Sequence, residues 1–154
     1  MPIVSFVYSF RVPLPASADR AFRWATDYTP EDLSLMGEKG RRSITRVTRD
    51  TLVLTDTVRD AGRTVRKTRL VRLLPKRRMW TNTHLSGPRR HSQFLYEIVP
   101  LGPRACRLEF TGLQIERAPR ALGPRELARR AREVAREDRA TWIRLAKALR
   151  ADLG

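Results

Sequence analysis

Cysteine and histidine are scarce in this chain of 154 residues. A single cysteine, Cys106, cannot form an intrachain disulfide, and one thiol with two distant histidines does not make a zinc site. No apolar run approaches the ~20 residues that a membrane-spanning helix needs. The segment "GEKG" lacks the glycine spacing of phosphate-binding and dinucleotide-binding loops, and no Gly-x-Ser-x-Gly motif is present. We therefore expect no metal site, no cofactor and no transmembrane segment.

Acidic residues are also few, because 16 of them stand against 32 basic residues and leave a net charge of +16. The excess lies almost entirely after residue 40, and 28 of the 32 basic residues are arginine. One interpretation is the composition of a GC-rich genome, because arginine codons are GC-rich. The other is an anionic partner, such as nucleic acid, a membrane surface or an acidic ligand.

The first residues, "MPIVSFVYSFRVPL", place no basic region before their apolar residues, which alternate with polar ones. This pattern is not that of a secretory signal peptide. Together with the single cysteine, it leads us to expect a cytoplasmic protein.

Hydrophobic periodicity predicts both strands and helices. Residues 3–13 alternate as a strand, Ser17 is a candidate N-cap for a first short helix, and Thr29 with Pro30 is expected to start a second. Turn residues then separate six strand-like runs, at residues 42–49, 52–59, 63–74, 79–86, 92–99 and 105–117. Gly123 and Pro124 open a final helix that is expected to reach about Leu153.

This order predicts an α+β fold in a single domain, residues 1–154. The long final helix is the only element able to cover one face of a curved antiparallel sheet. The two short helices would close one end, which leaves a cavity between the long helix and the sheet.

Three segments resemble one known superfamily. They are "FRVPLPASADRAFRWATDYTPEDL" at the first strand and short helices, "YEIVPLGPRACRLEF" at the penultimate hairpin and "WIRLAKALRADL" in the last helix. The chain is similar to the helix-grip fold of the START and birch-pollen-allergen superfamily, also called SRPBCC or polyketide cyclase-like. The resemblance implies a seven-stranded curved antiparallel sheet wrapped around a long C-terminal helix, with two short helices after the first strand. It also implies a ligand cavity, but it does not imply a particular reaction.

Hairpin turns predict which side chains face that cavity, because a side chain's face alternates along a strand. With a turn at Asp50–Thr51, the inward residues of the first two runs are Ser43, Thr45, Val47, Leu52, Leu54, Asp56 and Val58. Pairing Val58 with Val65 and Leu73 with Trp80 continues the inner face through Lys67, Arg69, Asn82 and His84. A five-residue turn at 87–91 brings in Phe94, Tyr96 and Ile98, followed by Cys106, Leu108 and Phe110; a four-residue turn would instead bring in Gln93 and Glu97.

The inner face is therefore predicted to be aromatic on one side and polar on the other. The final helix adds Asp138, whose carboxylate interrupts an apolar stripe, and Trp142. Eleven candidate ligand-binding residues follow: Asp56, Lys67, Arg69, Trp80, Asn82, His84, Phe94, Tyr96, Phe110, Asp138 and Trp142.

Three interpretations of the polar residues stay open. Asp56 with Lys67, and Asp138 with Arg69, could be structural ion pairs at a wet rim. The same groups could orient the polar end of an amphipathic ligand. His84 with a carboxylate could also act in acid–base catalysis.

The leading functional hypothesis is binding of a hydrophobic or amphipathic small molecule, such as a lipid, an isoprenoid or a polyketide-like compound. The resemblance also allows a cyclase or dehydratase using the same cavity. A third hypothesis is a nucleic-acid-associated or ribosome-associated module that uses a basic outer surface. Its candidate residues are Arg46, Arg66 and Arg72 on the strands and Arg125, Arg129, Arg132, Arg136 and Arg139 on the final helix.

Overall fold

The computed structural model describes residues 1–153 and has the predicted order of elements. A strand and two short helices are followed by six strands and one long helix. The elements are β1 Ile3–Leu14, α1 Ala18–Thr26, α2 Asp32–Leu35, β2 Gly40–Thr48, β3 Thr51–Asp60, β4 Arg63–Leu74, β5 Met79–Ser86, β6 Gln93–Gly102, β7 Ala105–Arg117 and α3 Pro124–Asp152.

All seven strands form one antiparallel sheet, in the order β1-β7-β6-β5-β4-β3-β2. Strands β2 to β7 are consecutive hairpin neighbours, and β1 returns to pair with β7. Alternate residues of β1 are buried, as the period of its apolar residues predicted.

The short helices differ in how they begin. The Ser17 hydroxyl accepts a hydrogen bond from the backbone N–H of Arg20 and caps α1 as predicted. Helix α2 begins at Asp32, not at Pro30, so the expected start after Thr29 is wrong. The Asp32 carboxylate accepts hydrogen bonds from both the backbone N–H and the hydroxyl of Thr29. These bonds hold residues 29–31 in a turn that leads into the helix.

Helix α3 begins where the sequence predicted. Gly123 is the N-cap, Pro124 follows, and the Glu126 carboxylate accepts a hydrogen bond from the Gly123 N–H at 3.0 Å. The buried side of α3 carries Val134, Leu145 and Leu149, and the helix lies mainly against β1. No helix in residues 1–153 is long and apolar enough to cross a membrane.

The predicted inner face is confirmed for five of the seven strands, β3 to β7. Val58 pairs with Val65 and Leu73 pairs with Trp80, as the turns required. The turn after β5 places Phe94 and Ile98 in the core and leaves Gln93 exposed.

The prediction for β2 is wrong, because Ser43, Thr45 and Val47 are exposed. The hairpin turn lies at Arg49–Asp50, which by itself would have kept Val47 on the inner side. A β-bulge between Arg46 and Thr48 adds one unpaired residue, and one extra residue turns every preceding side chain to the other face.

The bulge changes which arginines of β2 face inward. Arg42 lies opposite Asp56 and is buried. The alternation predicted from the sequence, with Ser43 inward, would have placed Arg42 on the outer face of the sheet. Arg46 lies opposite the buried Leu52 and is therefore on the inner face of the sheet, not on the outer face as predicted. Its position at the end of the strand leaves it exposed.

Gly112 allows two aromatic rings to approach the sheet. A Cβ at this position would lie 2.7 Å from the Phe94 ring and 2.9 Å from the Phe110 ring. We expect Gly112→Ala to lower the free energy of unfolding by about 1–3 kcal/mol, because the packed rings must move.

Urea unfolding measures this loss, and Gly102→Ala is the matched control. No atom lies within 4 Å of the Cβ that would be added at Gly102, so its effect should stay within about 0.5 kcal/mol. Equal effects of the two changes would show that the contact at Gly112 does not constrain the rings.

Candidate functional site

A cavity lies between the inner face of the sheet and α3. Its larger part, here called the main cavity, has a volume of about 280 Å³ and is lined by residues of β1, β3 to β7, α3 and the connections before β2 and after β5. A smaller side pocket of about 90 Å³ adjoins it beneath α1 and α2. The two spaces share Met36, Arg69, Tyr96, Thr141 and Trp142.

The structure brings together all eleven residues predicted to line a site. Nine of them border the main cavity: Asp56, Lys67, Arg69, His84, Phe94, Tyr96, Phe110, Asp138 and Trp142. Of these nine, Arg69, Tyr96 and Trp142 also line the side pocket, whereas Trp80 and Asn82 border only the side pocket. The expected space between helix and sheet is therefore present.

Aromatic rings form one side of this space. The rings of Trp80 and Tyr96, on neighbouring strands, stack with centroids 4.9 Å apart and an interplanar angle of 2°. Trp142 of α3 lies 5.8 Å from the Tyr96 ring, so the helix completes this group from above. Phe94 and Phe110 extend the wall, with their ring centroids 5.5 Å apart.

A buried ion cluster forms the opposite side, centred on Asp56. The Arg42 guanidinium donates two hydrogen bonds to this carboxylate, at 2.8 and 3.0 Å, and Arg69 donates a third at 2.8 Å. Arg42 also donates to Asp32 at 3.3 Å, which joins α2 to the sheet. Burial alone would raise the pKa of Asp56, but the hydrogen bonds and charges of the two arginines outweigh it and hold that pKa below its usual value.

The ion pairs expected from the sequence are therefore wrong in their partners. Asp56 pairs with Arg42 and Arg69, whereas Lys67 lies 3.8 Å from Glu38. Asp138 pairs with neither Arg69 nor Lys67. Its partners among the described residues are the hydroxyl of Tyr8 and the guanidinium of Arg89, which lies 3.6 Å away.

Tyr8 donates its hydroxyl hydrogen to Asp138 across the gap between β1 and α3. Burial, followed by the charge of Asp138, raises the pKa of Tyr8, so the hydroxyl stays protonated and remains a donor. The carboxylate in the apolar stripe of α3 thus has a hydrogen-bond partner on the first strand and a cationic partner at the turn after β5.

His84 is uncharged at neutral pH. Burial, and then the nearby charges of Arg69 and Arg89, lower its pKa to about 3. Its ring stands edge-on to Phe94, with centroids 5.1 Å apart, and no carboxylate among residues 1–153 is bonded to it. The other histidine, His91, is exposed in the arginine-rich turn, as expected.

Three side chains of the cavity wall keep unused hydrogen-bonding capacity. The atoms are Nε of Arg69, Oδ1 of Asn82 and Nδ1 of His84, each buried without a partner within residues 1–153. Buried polar atoms are normally satisfied, so such a group at one end of a cavity indicates where polar ligand atoms or water would be accommodated best.

Sequence reasoning missed several residues of the cavity. Arg42 was hidden by the bulge in β2, and Arg89 lies in a turn whose side-chain directions the strand period does not predict. Thr141 and Met36 also line both spaces. The spacing of Thr141 from Asp138 was the available signal, because residues three apart share a helix face.

Within residues 1–153, no group of His, Cys, Asp and Glu side chains is arranged to hold a metal ion. The charged residues of the main cavity are nearly balanced. Four are acidic and three are basic: Glu38, Asp56, Asp60, Asp138, Lys67, Arg69 and Arg89.

Comparison with known proteins identifies the architecture. No protein-family model matches the sequence, and no curated protein matches it significantly. Solved structures match it closely in shape. The ZhuI aromatase/cyclase from Streptomyces sp. R1128 has a TM-score of 0.78 at 18% identity, with 98% of this chain and 97% of that chain covered. This chain has the START-like helix-grip fold.

Two further structures share the helix-grip fold. A START superfamily protein from Mycobacterium smegmatis has a TM-score of 0.66 at 22% identity, with 95% of each chain covered. Norcoclaurine synthase from Thalictrum flavum, in complex with dopamine and hydroxybenzaldehyde, has a TM-score of 0.69 at 14% identity, with 96% of this chain and 87% of that chain covered. At these identities the likeness concerns the fold alone.

The neutral state of His84 predicts a pH dependence of stability. The unfolded chain protonates this imidazole near pH 6.5, whereas the folded chain does so only near pH 3. Between these values the unfolded state binds more protons, so the stability contributed by His84 is complete above pH ~6.5 and falls as the pH decreases. The upper limit of the slope is about 1.4 kcal/mol per pH unit.

Urea unfolding between about pH 7 and pH 5 measures this slope. His84→Gln should flatten it, whereas the matched variant His91→Gln should leave it unchanged, because His91 is exposed. An unchanged slope in His84→Gln would mean that the folded protein protonates His84 at its ordinary pKa.

The Asp56 cluster predicts a large loss of stability when one partner is removed. The side chains of Arg42 and Asp56 are 2% and 4% exposed, so Asp56→Asn leaves a buried guanidinium without its main counter-charge. We expect a loss of about 3–5 kcal/mol in the free energy of unfolding. Asp60→Asn, an exposed carboxylate of the same cavity, is the control and should change it by at most about 0.5 kcal/mol.

A double-mutant cycle that combines Asp56→Asn with Arg42→Met measures the coupling energy between these two residues. If the two residues act together, the double variant should be markedly more stable than the two single losses added. Additive losses would show that the pair contributes no coupling energy.

Proposed function

We propose that this protein binds a small amphipathic molecule with a flat aromatic body. The observation that carries the proposal is the main cavity itself, in which the rings of Phe94, Tyr96 and Phe110 line the same space as the buried polar atoms of Arg69 and His84 that have unused hydrogen-bonding capacity. An aromatic ligand would pack against Phe94, Phe110 and Tyr96 in the offset or edge-on geometries that these rings already adopt. Its polar group would lie towards Arg69 and His84.

The size of the cavity favours a compact ligand. Its volume of about 280 Å³ lies just below the range of roughly 300–1,000 Å³ that is usual for small-molecule sites. A molecule of one to three rings fits this space better than a lipid with two acyl chains. Of the three ligand classes suggested by the sequence, the cavity therefore supports a polyketide-like aromatic compound over a lipid or an isoprenoid.

The charge of the cavity favours a ligand without a strong net charge. The acidic and basic side chains around the main cavity nearly cancel, and the most buried of them, Asp56, is already satisfied by two arginines. Hydroxyl and carbonyl groups would suit the partners that remain, because Arg69 is a donor and neutral His84 can offer a donor or an acceptor. In the adjoining side pocket, Asn82 offers an acceptor oxygen.

The structural neighbours also support a small aromatic ligand. Norcoclaurine synthase was crystallised with dopamine and hydroxybenzaldehyde, two small aromatic molecules, and another neighbour is an aromatase/cyclase. The proposal concerns binding and not a reaction. A base with a pKa near 3 and no bonded carboxylate is a weak acid–base catalyst at neutral pH, so His84 gives no support to the cyclase or dehydratase hypothesis.

Isothermal titration with 2-naphthol, a two-ring phenol, tests the proposal. We expect binding to the parent protein and at least about tenfold weaker binding to Thr141→Trp, because the indole would fill space shared by both parts of the cavity. Ala140→Trp is the matched control, since the neighbouring Ala140 is exposed on the same helix, and it should bind as the parent does.

Palmitate serves as the comparison ligand and is expected to bind more weakly than 2-naphthol. Preferential binding of palmitate, or equal losses in the two tryptophan variants, would contradict an aromatic ligand in this cavity. Native mass spectrometry of the purified protein would additionally identify any molecule that it retains.

A further inference from the structure

The solvent-facing side of α3 carries a line of arginines. Successive residues of an α-helix are 100° apart, so Arg125, Arg129, Arg132, Arg136 and Arg139 all lie within about 40° of one line along the helix. All five are exposed, and they lie opposite the buried Val134. We call these five residues the arginine ridge. No acidic residue shares this sector of the helix; after Arg139 the half-buried Ile143 occupies it, and Lys147 and Arg150 follow.

The charges of the ridge are not neutralised within the described chain. Arg125, Arg129, Arg132 and Arg136 form no ion pair with a described residue, and Arg139 donates only to the backbone carbonyl of Arg11. The carboxylates of α3 that form ion pairs do so with cations outside the ridge. These pairs are Glu126 with Arg120, Glu133 with Arg130 and Asp138 with Arg89.

Such a ridge is unfavourable for an isolated helix. Like charges spaced three or four residues apart repel one another, and this helix repeats that spacing at every step of the ridge. A helix surface that faces only water commonly intersperses both signs of charge. The uninterrupted run of cations is therefore better explained by an anionic partner.

The shape of the ridge indicates the kind of partner. Its residues lie alternately on the two sides of a line that runs from Arg125 along the helix. Arg129 and Arg136 lie on one side of this line, and Arg132 and Arg139 lie on the other. The ridge spans about 21 Å, at 1.5 Å per residue. Beside the ridge the helix carries the small residues Ala128 and Ala140, one on each flank, which let another surface approach closely.

We propose that the arginine ridge docks in a groove of double-stranded nucleic acid and contacts the phosphates of both strands. An α-helix is 10–12 Å wide and the major groove of DNA is about 12 Å wide, so two diverging rows of guanidinium groups face two phosphate walls. Arginine suits this role because its planar group can donate two hydrogen bonds to one phosphate. This surface lies outside the cavity, and the proposal does not depend on the ligand proposed above.

The same ridge argues against base-specific and single-strand binding. It carries no amide side chain that would read base edges, and no aromatic ring on which unpaired bases could stack. A membrane surface is also disfavoured, because helices that lie in a bilayer insert an apolar face, and the apolar face of α3 is packed against the sheet.

Fluorescence anisotropy with a labelled DNA duplex of about 20 base pairs and arbitrary sequence tests the proposal. For five phosphate contacts, the logarithm of affinity should fall with the logarithm of salt concentration at a slope of about −4.5. Affinity would then decrease about 500-fold between about 50 and 200 mM KCl. The triple variant Arg129→Gln, Arg132→Gln, Arg136→Gln should reduce the slope by about 2.7 and weaken binding more than about 50-fold at the lowest salt.

A matched triple variant controls for total charge. Arg41→Gln, Arg66→Gln, Arg72→Gln removes the same charge from exposed positions of the sheet and should leave the salt slope close to that of the parent. Glutamine favours helices, and removal of the repulsion should leave the melting temperature of the ridge variant no lower than that of the parent.

Three outcomes would overturn the proposal. Equal weakening by the two triple variants would assign binding to overall charge. Single-stranded DNA of the same length binding as tightly as the duplex would exclude a groove. Binding to vesicles with about 30% phosphatidylglycerol, without binding to the duplex, would identify a membrane surface as the partner.

Discussion

One helix has to cover the concave face of a seven-stranded sheet. Seven strands at about 4.8 Å spacing extend across nearly 30 Å, whereas a helix with its side chains is 10–12 Å wide. Helix α3 lies mainly against β1, so the middle strands are left without a partner layer. The cavity follows from this mismatch in width, and it lies above the strands that carry polar inward residues.

The polar side of the cavity is stable because its charges compensate one another within the wall. Asp56 satisfies Arg42 and Arg69, and the bond from Arg42 to Asp32 ties α2 to the same cluster. His84 avoids the cost of a buried charge by staying neutral beside two guanidinium groups. The inner surface is therefore polar but nearly uncharged overall, whereas the outer side of α3 is cationic and uncompensated. The large positive charge of the protein belongs to its outside and not to its cavity.

The sequence predicted most of the sheet because antiparallel hairpins transmit register from one strand to the next. Once Leu52 and Leu54 were assigned to the core, the turns fixed the faces of β4 to β7 and brought eight of the candidate residues, together with Asp56, to one surface. The inference failed at β2, where the bulge beside Val47 reversed the faces. A bulge depends on local twist and edge position, which the alternation of apolar residues in a largely exposed edge strand does not reveal.

The sequence by itself determined the order of the elements, the α+β class, the aromatic and polar halves of the inner face, and the presence of Asp138 on the buried side of α3. Tertiary structure alone decided the ion pairs. The position of α3 across the sheet sets which groups Asp138 can reach, and because the helix lies over β1, those groups are Tyr8 and Arg89. Helical periodicity determines the direction in which a side chain points around the helix axis, but it does not determine which strand the helix packs against.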